Sequence, residues 1–499
     1  HKITIDETRS HSYKYWTQGE SDVTNLFDHA DPNKASGDPN YVKFMSRSDW
    51  QGTADIAKQT ISLKGNMAAG NAVTGGDKAV DNTVGRQYYP EVYEQFGDSY
   101  PNYAVGRNYE NGKNGNAKDT LSEMIGIEYE KSKGASDEDI KKWNDFMDQL
   151  TWEETCSIVS SGQRITVAVE GIVKPKTNDV NASNAIIWKF DMGLNSNTAN
   201  RETGFSFYFD GANRNYFPTG YPCEGILAAS FDTDVAYAVG QAIGEDGLWS
   251  GASGLYGFGL GMHRSPYHGR AGEYYSEDPY LSGVMGGYES KGAQSKGMYV
   301  YNKHFVLNDQ ETNRTGHTTW LTEQAMRQIY LRPFEIAIEI GDAMNVMNAF
   351  NKIGSYWSGV DYNLMTACLR GEFGMSGFAV TDWYPTASMN ITYGIMAGTD
   401  LPDGYANITS YGPDNGNFGA YAHAVRRAAQ RQLYTVANSS AMNFIGKDTR
   451  ITVYEAEWIN VRIAITGGIA VAFAVMAGLM CAAYAWHVFT VISEKKRRG

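Results

Sequence analysis

The chain has 499 residues and a mass of 55.1 kDa, more than one small domain requires and suited to one large domain with attachments. It carries 43 Lys and Arg against 56 Asp and Glu, a net charge of −13. This balance argues against a nucleic-acid-binding surface, which needs basic groups to displace phosphate counterions. Hydrophobic residues at 42% and aromatics at 13% exclude a disordered chain. The four cysteines, Cys156, Cys223, Cys368 and Cys481, are too far apart for a zinc motif or a disulfide framework.

In chain order, residues 1–53 read as short strands and turns ending in Phe44-Met-Ser-Arg-Ser-Asp-Trp-Gln-Gly-Thr53. His1 is no initiator and no charged-then-apolar leader follows it, so a processed or truncated piece of a longer precursor is expected. Residues 54–142 are polar and rich in Gly, Asn and Asp, and read as a linker or insertion wrapped on a larger body. From Trp143 the texture changes. Phe146–Val159 has helical spacing, with Thr151 as N-cap and Glu154 three residues on. Short apolar runs then alternate with amphipathic helices to about residue 440. The expected strands are Gly204–Phe209, Leu255–Gly261, Met298–His304, Ala343–Ala349, Gly377–Thr381 and Ile395–Asp400. The expected helices include Asp232–Gly244, Pro279–Lys296, Thr319–Ile340, Tyr362–Glu372 and Ala420–Thr435. Such alternation over 143–440 predicts an α/β fold, a (β/α)8 TIM-like barrel or a relative of it. A doubly wound sheet is the alternative, but no GxGxxG or GxxxxGKS/T lies at a strand-to-helix turn.

In a parallel barrel, polar residues just after a strand sit on the catalytic face. On that rule Asp210, Arg264, Arg270, Lys303, His304, Asp382 and Asp400 share a rim. Carboxylates, cations and aromatics converging there suit the holding of a polyol and attack at its anomeric carbon.

These residues also lie in segments that resemble glycoside hydrolase family 3. The segments are Arg264-Ser-Pro-Tyr-His-Gly-Arg-Ala-Gly-Glu-Tyr-Tyr-Ser-Glu-Asp-Pro-Tyr-Leu-Ser-Gly283, Lys303-His-Phe-Val-Leu-Asn-Asp-Gln-Glu-Thr-Asn-Arg314 and Gly377-Phe-Ala-Val-Thr-Asp-Trp383. The resemblance covers about residues 143–440 and implies a (β/α)8 barrel or a collapsed version of one. Ser46-Arg-Ser-Asp-Trp-Gln-Gly-Thr53 is similar to the tail of the family's α/β sandwich domain, as in the subgroup with reversed domain order. Residues 1–53 are then a remnant of that domain, and most of it is absent.

The resemblance implies that Asp382 is the nucleophile, since a carboxylate can form a glycosyl ester and later leave from it. Substrate would be bound by Asp210, Arg270, Lys303, His304, Met347 and Trp383. Arg270 would also keep the nucleophile ionised. Asp210 stands in Asp-Gly-Ala-Asn-Arg rather than the family's Asp-Gly-Pro, and Phe350 replaces a common tyrosine. Glu273, Glu277, Asp278 and Glu311 lie where the family uses acids structurally. The expected activity is that of a retaining exo-glycosidase on β-linked glucose or a related sugar, with no metal or organic cofactor. The family takes its acid/base glutamate from the sandwich domain, so this chain by itself is expected to be a weak catalyst. The alternatives are a non-catalytic sugar-binding membrane protein, or a barrel subunit that needs a separate sandwich-domain chain.

The C-terminus carries a physical signal of its own. No Lys, Arg, Asp or Glu occurs from Ile463 to Ser493. At about 1.5 Å per residue such a helix exceeds a hydrocarbon core of roughly 30 Å. Residues 441–460 read as a juxtamembrane linker, 461–493 as a transmembrane helix and 494–499 as a basic tail. Trp458 and Trp486 suit the two interfaces, and the basic tail places the C-terminus in the cytoplasm and the barrel outside the cell. The expected partners are thus a glycoside substrate and a lipid bilayer, with no nucleic acid.

Overall fold

The computed structural model describes residues 26–31, 72–74, 81–104, 118–181, 185–186, 218–266, 268–315, 317–384, 389–408, 418–452 and 457–498. The chain divides into two compact units, His1–Ile451 and Thr452–Gly499.

The first unit is built on a parallel sheet. Strands β1 (Asp179–Asn181), β2 (Gly254–Tyr256), β3 (Tyr299–Phe305), β5 (Asn345–Asn348), β8 (Ala379–Trp383) and β9 (Leu401–Asp403) lie side by side in chain order, every neighbouring pair parallel. Three short strands, β4 (Thr318–Thr319), β6 (Lys352–Ile353) and β7 (Tyr356–Trp357), form a separate small sheet. Parallel neighbours in sequential order require a crossover each time. Helices Thr233–Ser250, Pro279–Gln294 and Arg332–Gly341 supply crossovers. The outcome is a mostly parallel, curled α/β sheet, and among the described residues it has six strands rather than eight.

The curl is visible in its inner cluster, where Tyr256, Tyr299, Tyr301, Met347, Phe378, Val380 and Leu401 pack together. Alternate strand residues reach this inner face, while Leu255, Val300, Val346 and Ala379 point into the larger core shared with the helices. Segment Ser160–Thr166 ties the two edges of the sheet together. On one side Gly162 N donates to Gly404 O (3.0 Å) and Ala406 N to Ser160 O (2.8 Å). On the other, Asp179 N donates to Arg164 O (2.9 Å) and Thr177 N to Thr166 O (3.0 Å). A Cβ at Gly162 would lie 2.3 Å from Pro402 O, so only glycine allows this approach.

The expected helices at 232, 279, 362 and 420 are present as Thr233–Ser250, Pro279–Gln294, Asn363–Glu372 and Gly419–Ala437. Thr151 caps helix Trp152–Ser160 in a capping box with Glu154. Two expectations are corrected. The run Ile395–Asp400 is no strand: Ile391–Ala397 is a helix, capped by the Asn390 side chain and closed by Gly398 at φ +118°. All seven helix residues are buried, so no polar face betrays the 3.6-residue period. The helix expected from Thr319 starts at Glu323, because Thr318–Thr319 is drawn into the small sheet and Thr322 supplies the cap. The expected strand Gly204–Phe209, and the sandwich-like Ser46–Thr53, lie outside the described residues. Within 54–142, helices Asn82–Tyr88 and Pro90–Phe96 send Tyr89 and Val92 into the main core.

The second unit is one helix, Glu457–Arg498. Its stretch Gly467–Arg498, of mean hydropathy 2.0, is long and apolar enough to cross a membrane, by length and composition.

Candidate active site

The C-terminal ends of β3 and β8 and the loop after β2 bring one group of side chains together. β3 ends in Lys303-His304-Phe305 and β8 in Thr381-Asp382-Trp383. The loop returns along β3 through the parallel bridges Gly259 to Lys303 and Gly259 to Tyr274, which bring Arg270, Glu273 and Tyr274 alongside. A Cβ on Gly259 would lie 1.9 Å from Glu273 O, so the loop seats on this backbone only because the residue is glycine.

Glu273 Oε2 is the hub of the cations, 2.7 Å from Arg270 Nη2 and 3.4 Å from Lys303 Nζ. Burial alone would raise its carboxyl, but Lys303 and Arg270 outweigh that and hold it at about 2. Burial lowers the Lys303 ammonium, and Glu273 pulls it back up. Glu273 is therefore an anion that fixes two cations, which is the structural role expected of it.

His304 is buried, with Nε2 3.5 Å from Asp382 Oδ2 and Nδ1 3.1 Å from the Tyr274 hydroxyl. Burial, reinforced by Arg270, Lys303 and Arg314, drives its imidazolium well below the usual histidine range, so the ring is neutral. The contact with Tyr274 holds the ring at Nδ1 and leaves Nε2 facing Asp382.

Asp382 Oδ1 accepts the Trp383 N–H at 2.7 Å, while Oδ2 has no hydrogen-bond partner. Its side chain is 16% exposed. Burial raises its carboxyl, and Arg270, the Trp383 N–H, Arg314 and Lys303 oppose that rise. The arrangement is a carboxylate with one oxygen anchored and the other open, supported by cations held slightly apart from it. Such an oxygen can accept a hydrogen bond from a ligand or attack an electrophilic carbon.

Of the residues expected here, Arg270, Lys303, His304, Asp382 and Trp383 come together, with Trp383 46% exposed at the edge. Met347 is level with Lys303 by strand register, but it is 3% exposed and packs in the inner cluster. Asp210 lies outside the described residues; the rim end of β1 is Asn181. Arg264 makes no ion pair with Asp382 or Glu273, whereas Arg270 does bind Glu273. Asp400 is not on the rim. It is fully buried, bound by Arg370 Nη2 (2.6 Å) and Arg431 Nη1 (2.9 Å). It belongs to the turn between helix Ile391–Ala397 and β9, so the mistaken strand carried its last residue to the wrong place.

Two members of the site carried no signal sufficient to single them out. Tyr274 fixes the imidazole, and Arg314 lies 4.2 Å over the Phe350 ring while pairing with Glu311 (2.8 Å). The Arg270/Glu273 pair was legible in principle, as opposite charges three residues apart.

Residues 210–400 match the glycosyl hydrolase family 3 N terminal domain. The chain is 39% identical over 181 residues to a probable beta-glucosidase I of Aspergillus flavus, covering 36% of this chain and 21% of that one. With a probable beta-glucosidase I of Aspergillus fumigatus it shares 38% over 205 residues, 41% of this chain and 23% of that one. Among solved structures it resembles beta-glucosidase 3B from Thermotoga neapolitana in complex with glucose: 28% identity, 62% of this chain, 44% of that one, TM-score 0.51. It also resembles the Bifidobacterium adolescentis GH3 beta-glucosidase, at 25% identity over 62% of this chain and 42% of that one, TM-score 0.51. The chain thus matches about a fifth of the length of these curated relatives.

Proposed function

We propose, from the match of residues 210–400 to the glycosyl hydrolase family 3 N terminal domain, that the chain is the catalytic barrel of a retaining exo-glycosidase acting on β-glucosides or related glycosides. The observation that carries this reading is the open Oδ2 of Asp382, 3.5 Å from His304 Nε2 and backed by Arg270 and Lys303. Oδ2 attacks the anomeric carbon as the bond to the leaving-group oxygen breaks, and a glycosyl ester of Asp382 forms. Lys303, Arg270 and His304 Nε2 hold sugar hydroxyls, and Trp383 flanks the sugar. Water then cleaves the ester with net retention.

The leaving group also needs a proton. Glu273 cannot give one, since at about 2 it is ionised wherever the reaction would run. We assign the acid to another part of the full-length protein or to a partner chain, in keeping with a sandwich domain joined near residues 1–53. The curled sheet fits a collapsed (β/α) barrel. Helix Glu457–Arg498 fits a membrane anchor, with Lys495–Arg498 in the cytoplasm and the barrel outside the cell. A sugar-binding protein without turnover is the second reading.

Proton NMR of the first sugar released from a 4-nitrophenyl β-glucoside tests the proposal. The β-anomer is expected first; the α-anomer first, or binding without any release, would overturn it. Protease treatment of intact cells should remove the barrel and spare a C-terminal tag. A protected barrel would overturn the topology.

A further inference from the structure

The loop that leaves β3 turns back beside the candidate site and ends in an ion pair. Ala349 N donates to Phe305 O (2.9 Å) and Asn351 Nδ2 to Val306 O (3.1 Å), which seats Phe350 next to the end of β3. Phe350 is buried, and the Arg314 guanidinium carbon lies 4.2 Å from the centre of its ring, within the range of a cation–π contact. Arg314 Nη1 binds Glu311 Oε2 (2.8 Å), and the Arg314 N–H donates to Glu311 O (3.3 Å). Side chain and backbone of this turn are thus tied together over a fixed aromatic platform.

From Glu311 the contacts run inward to Asp382. Glu311 Oε1 accepts from Asn308 Nδ2 (3.2 Å), which also reaches the Tyr274 hydroxyl (3.4 Å). That hydroxyl lies 3.1 Å from His304 Nδ1, and His304 Nε2 lies 3.5 Å from Asp382 Oδ2. Asn308, Tyr274 and His304 are buried, whereas Glu311 and Arg314 are partly exposed at the outer end of the line. The charge of Arg314 is felt at the inner end. Burial raises the Asp382 carboxyl, and Arg270, the Trp383 N–H, Arg314 and Lys303 oppose it; burial, Arg270, Lys303 and Arg314 all lower His304. Around Asp382 stand Arg270 and Glu273 from the loop after β2, Lys303 and His304 from β3, and Asp403 of β9, which is paired in register with Trp383.

We propose that Arg314 is a positioning residue for the reaction: stacked on Phe350 and tied to Glu311, it holds the line Asn308–Tyr274–His304 against Asp382 and presents a positive charge that the nucleophile does not touch. Arg270 and Lys303 both lie against Glu273. Arg314 is a third cation, carried by a different loop, and its ion-pair partner is Glu311 rather than Asp382. A cation in direct contact would occupy the open oxygen. One at a remove favours the anion and leaves Oδ2 free to attack. The inference rests on the glycosidase reading for the reaction and adds a residue which that reading does not use.

Steady-state kinetics of the full chain on an activated aryl β-glucoside, taken across pH, test it. Arg314→Met should lower kcat about tenfold, the scale of one hydrogen bond to a charged group, with KM nearly unchanged. Losing a cation favours the protonated carboxyl, so the acid limb of kcat/KM should move to higher pH. Arg314→Lys keeps the charge and loses the planar stack; it should leave the limb in place and recover part of kcat. Glu311→Gln keeps an acceptor for Asn308 and removes an anion, so the limb should not rise. A rise in KM with kcat intact would make Arg314 a substrate contact and overturn the proposal. So would an unmoved limb in a folded Arg314→Met chain. If that chain does not fold, a limb raised in Arg314→Lys or Glu311→Gln overturns it instead.

Difference infrared spectra between chains with Asp382 and with Asp382→Asn read the protonated Asp382 carboxyl without turnover, which separates this inference from the glycosidase reading. If no glycoside is cleaved while that carboxyl titrates at higher pH in Arg314→Met, the glycosidase reading fails and the hold of Arg314 on Asp382 stands. Cleavage with the same kcat and the same Asp382 titration in the unaltered and Arg314→Met chains sinks the positioning role alone.

Discussion

Asp382, at the end of β8, and Asp400, just before β9, are both aspartates in the field of strong cations, yet their surroundings differ in one decisive way. Around Asp400 every valence is filled: Arg370 and the Ala379 N–H bind Oδ2, Arg431 binds Oδ1, and Gln432 donates to its carbonyl. Around Asp382 one oxygen is anchored by the Trp383 N–H and the other is left open, with His304 at 3.5 Å. A saturated carboxylate holds a fold together, because its charge has no capacity left for a ligand. An unsaturated one, which burial pushes up against the opposing pull of nearby cations, is costly for the fold and open to a ligand.

Substitutions can break that contrast. The largest effect is expected at Asp382. Asp382→Asn should lower kcat/KM on an activated aryl β-glucoside by about 10⁴-fold, the scale of losing an essential member of a catalytic group. Its melting temperature should hold or rise, because a poorly satisfied buried charge is gone. Steady-state kinetics beside a thermal melt checks both halves. Asp400→Asn should do the reverse, losing about 3–5 kcal/mol of stability because two buried guanidinium groups lose their anion. Chemical denaturation measures this, and an unchanged midpoint would show that the triad carries no structural load.

Glu273→Gln is intermediate, and pH exposes it. The Glu273 carboxyl is held at about 2 in the folded chain, below its ordinary 4.5. A depressed carboxyl contributes stability above its unfolded value and loses it as pH falls toward the folded one. The variant should therefore be less stable by about 1–2 kcal/mol at pH 7, discounted for partial solvent screening. That difference should shrink between pH 4.5 and about 2. A difference independent of pH would contradict the electrostatic account. The smallest effect is expected for Tyr274→Phe, which removes one hydrogen bond from His304 Nδ1. A loss of about 0.5–1.5 kcal/mol in transition-state stabilisation, three- to tenfold in kcat/KM, is expected.

The same contrast marks how far the sequence could be read. Short apolar runs ending in Lys303-His304 and in Thr381-Asp382 announced β3 and β8, because a buried parallel strand followed by a polar residue is a local pattern. Thr151 and Glu154 announced a helix start for the same reason. Asp400 was misassigned because helix Ile391–Ala397, buried on all sides, has the composition of a strand. Tyr274 acts through contacts with residues distant in sequence, such as His304, and a single chain gives no local mark of those. Asp210 rested on an expected strand outside the described residues, and the rim position at the end of β1 is that of Asn181.

The central claim is that the open oxygen of Asp382 is the nucleophile. Incubation of the chain with a 2-deoxy-2-fluoro-β-glucosyl fluoride, followed by proteolysis and peptide mass spectrometry, tests it most directly. The account predicts a single glycosylated peptide carrying the label on Asp382, and no label in Asp382→Asn. A label on Glu273, Glu311 or any other carboxylate would contradict it.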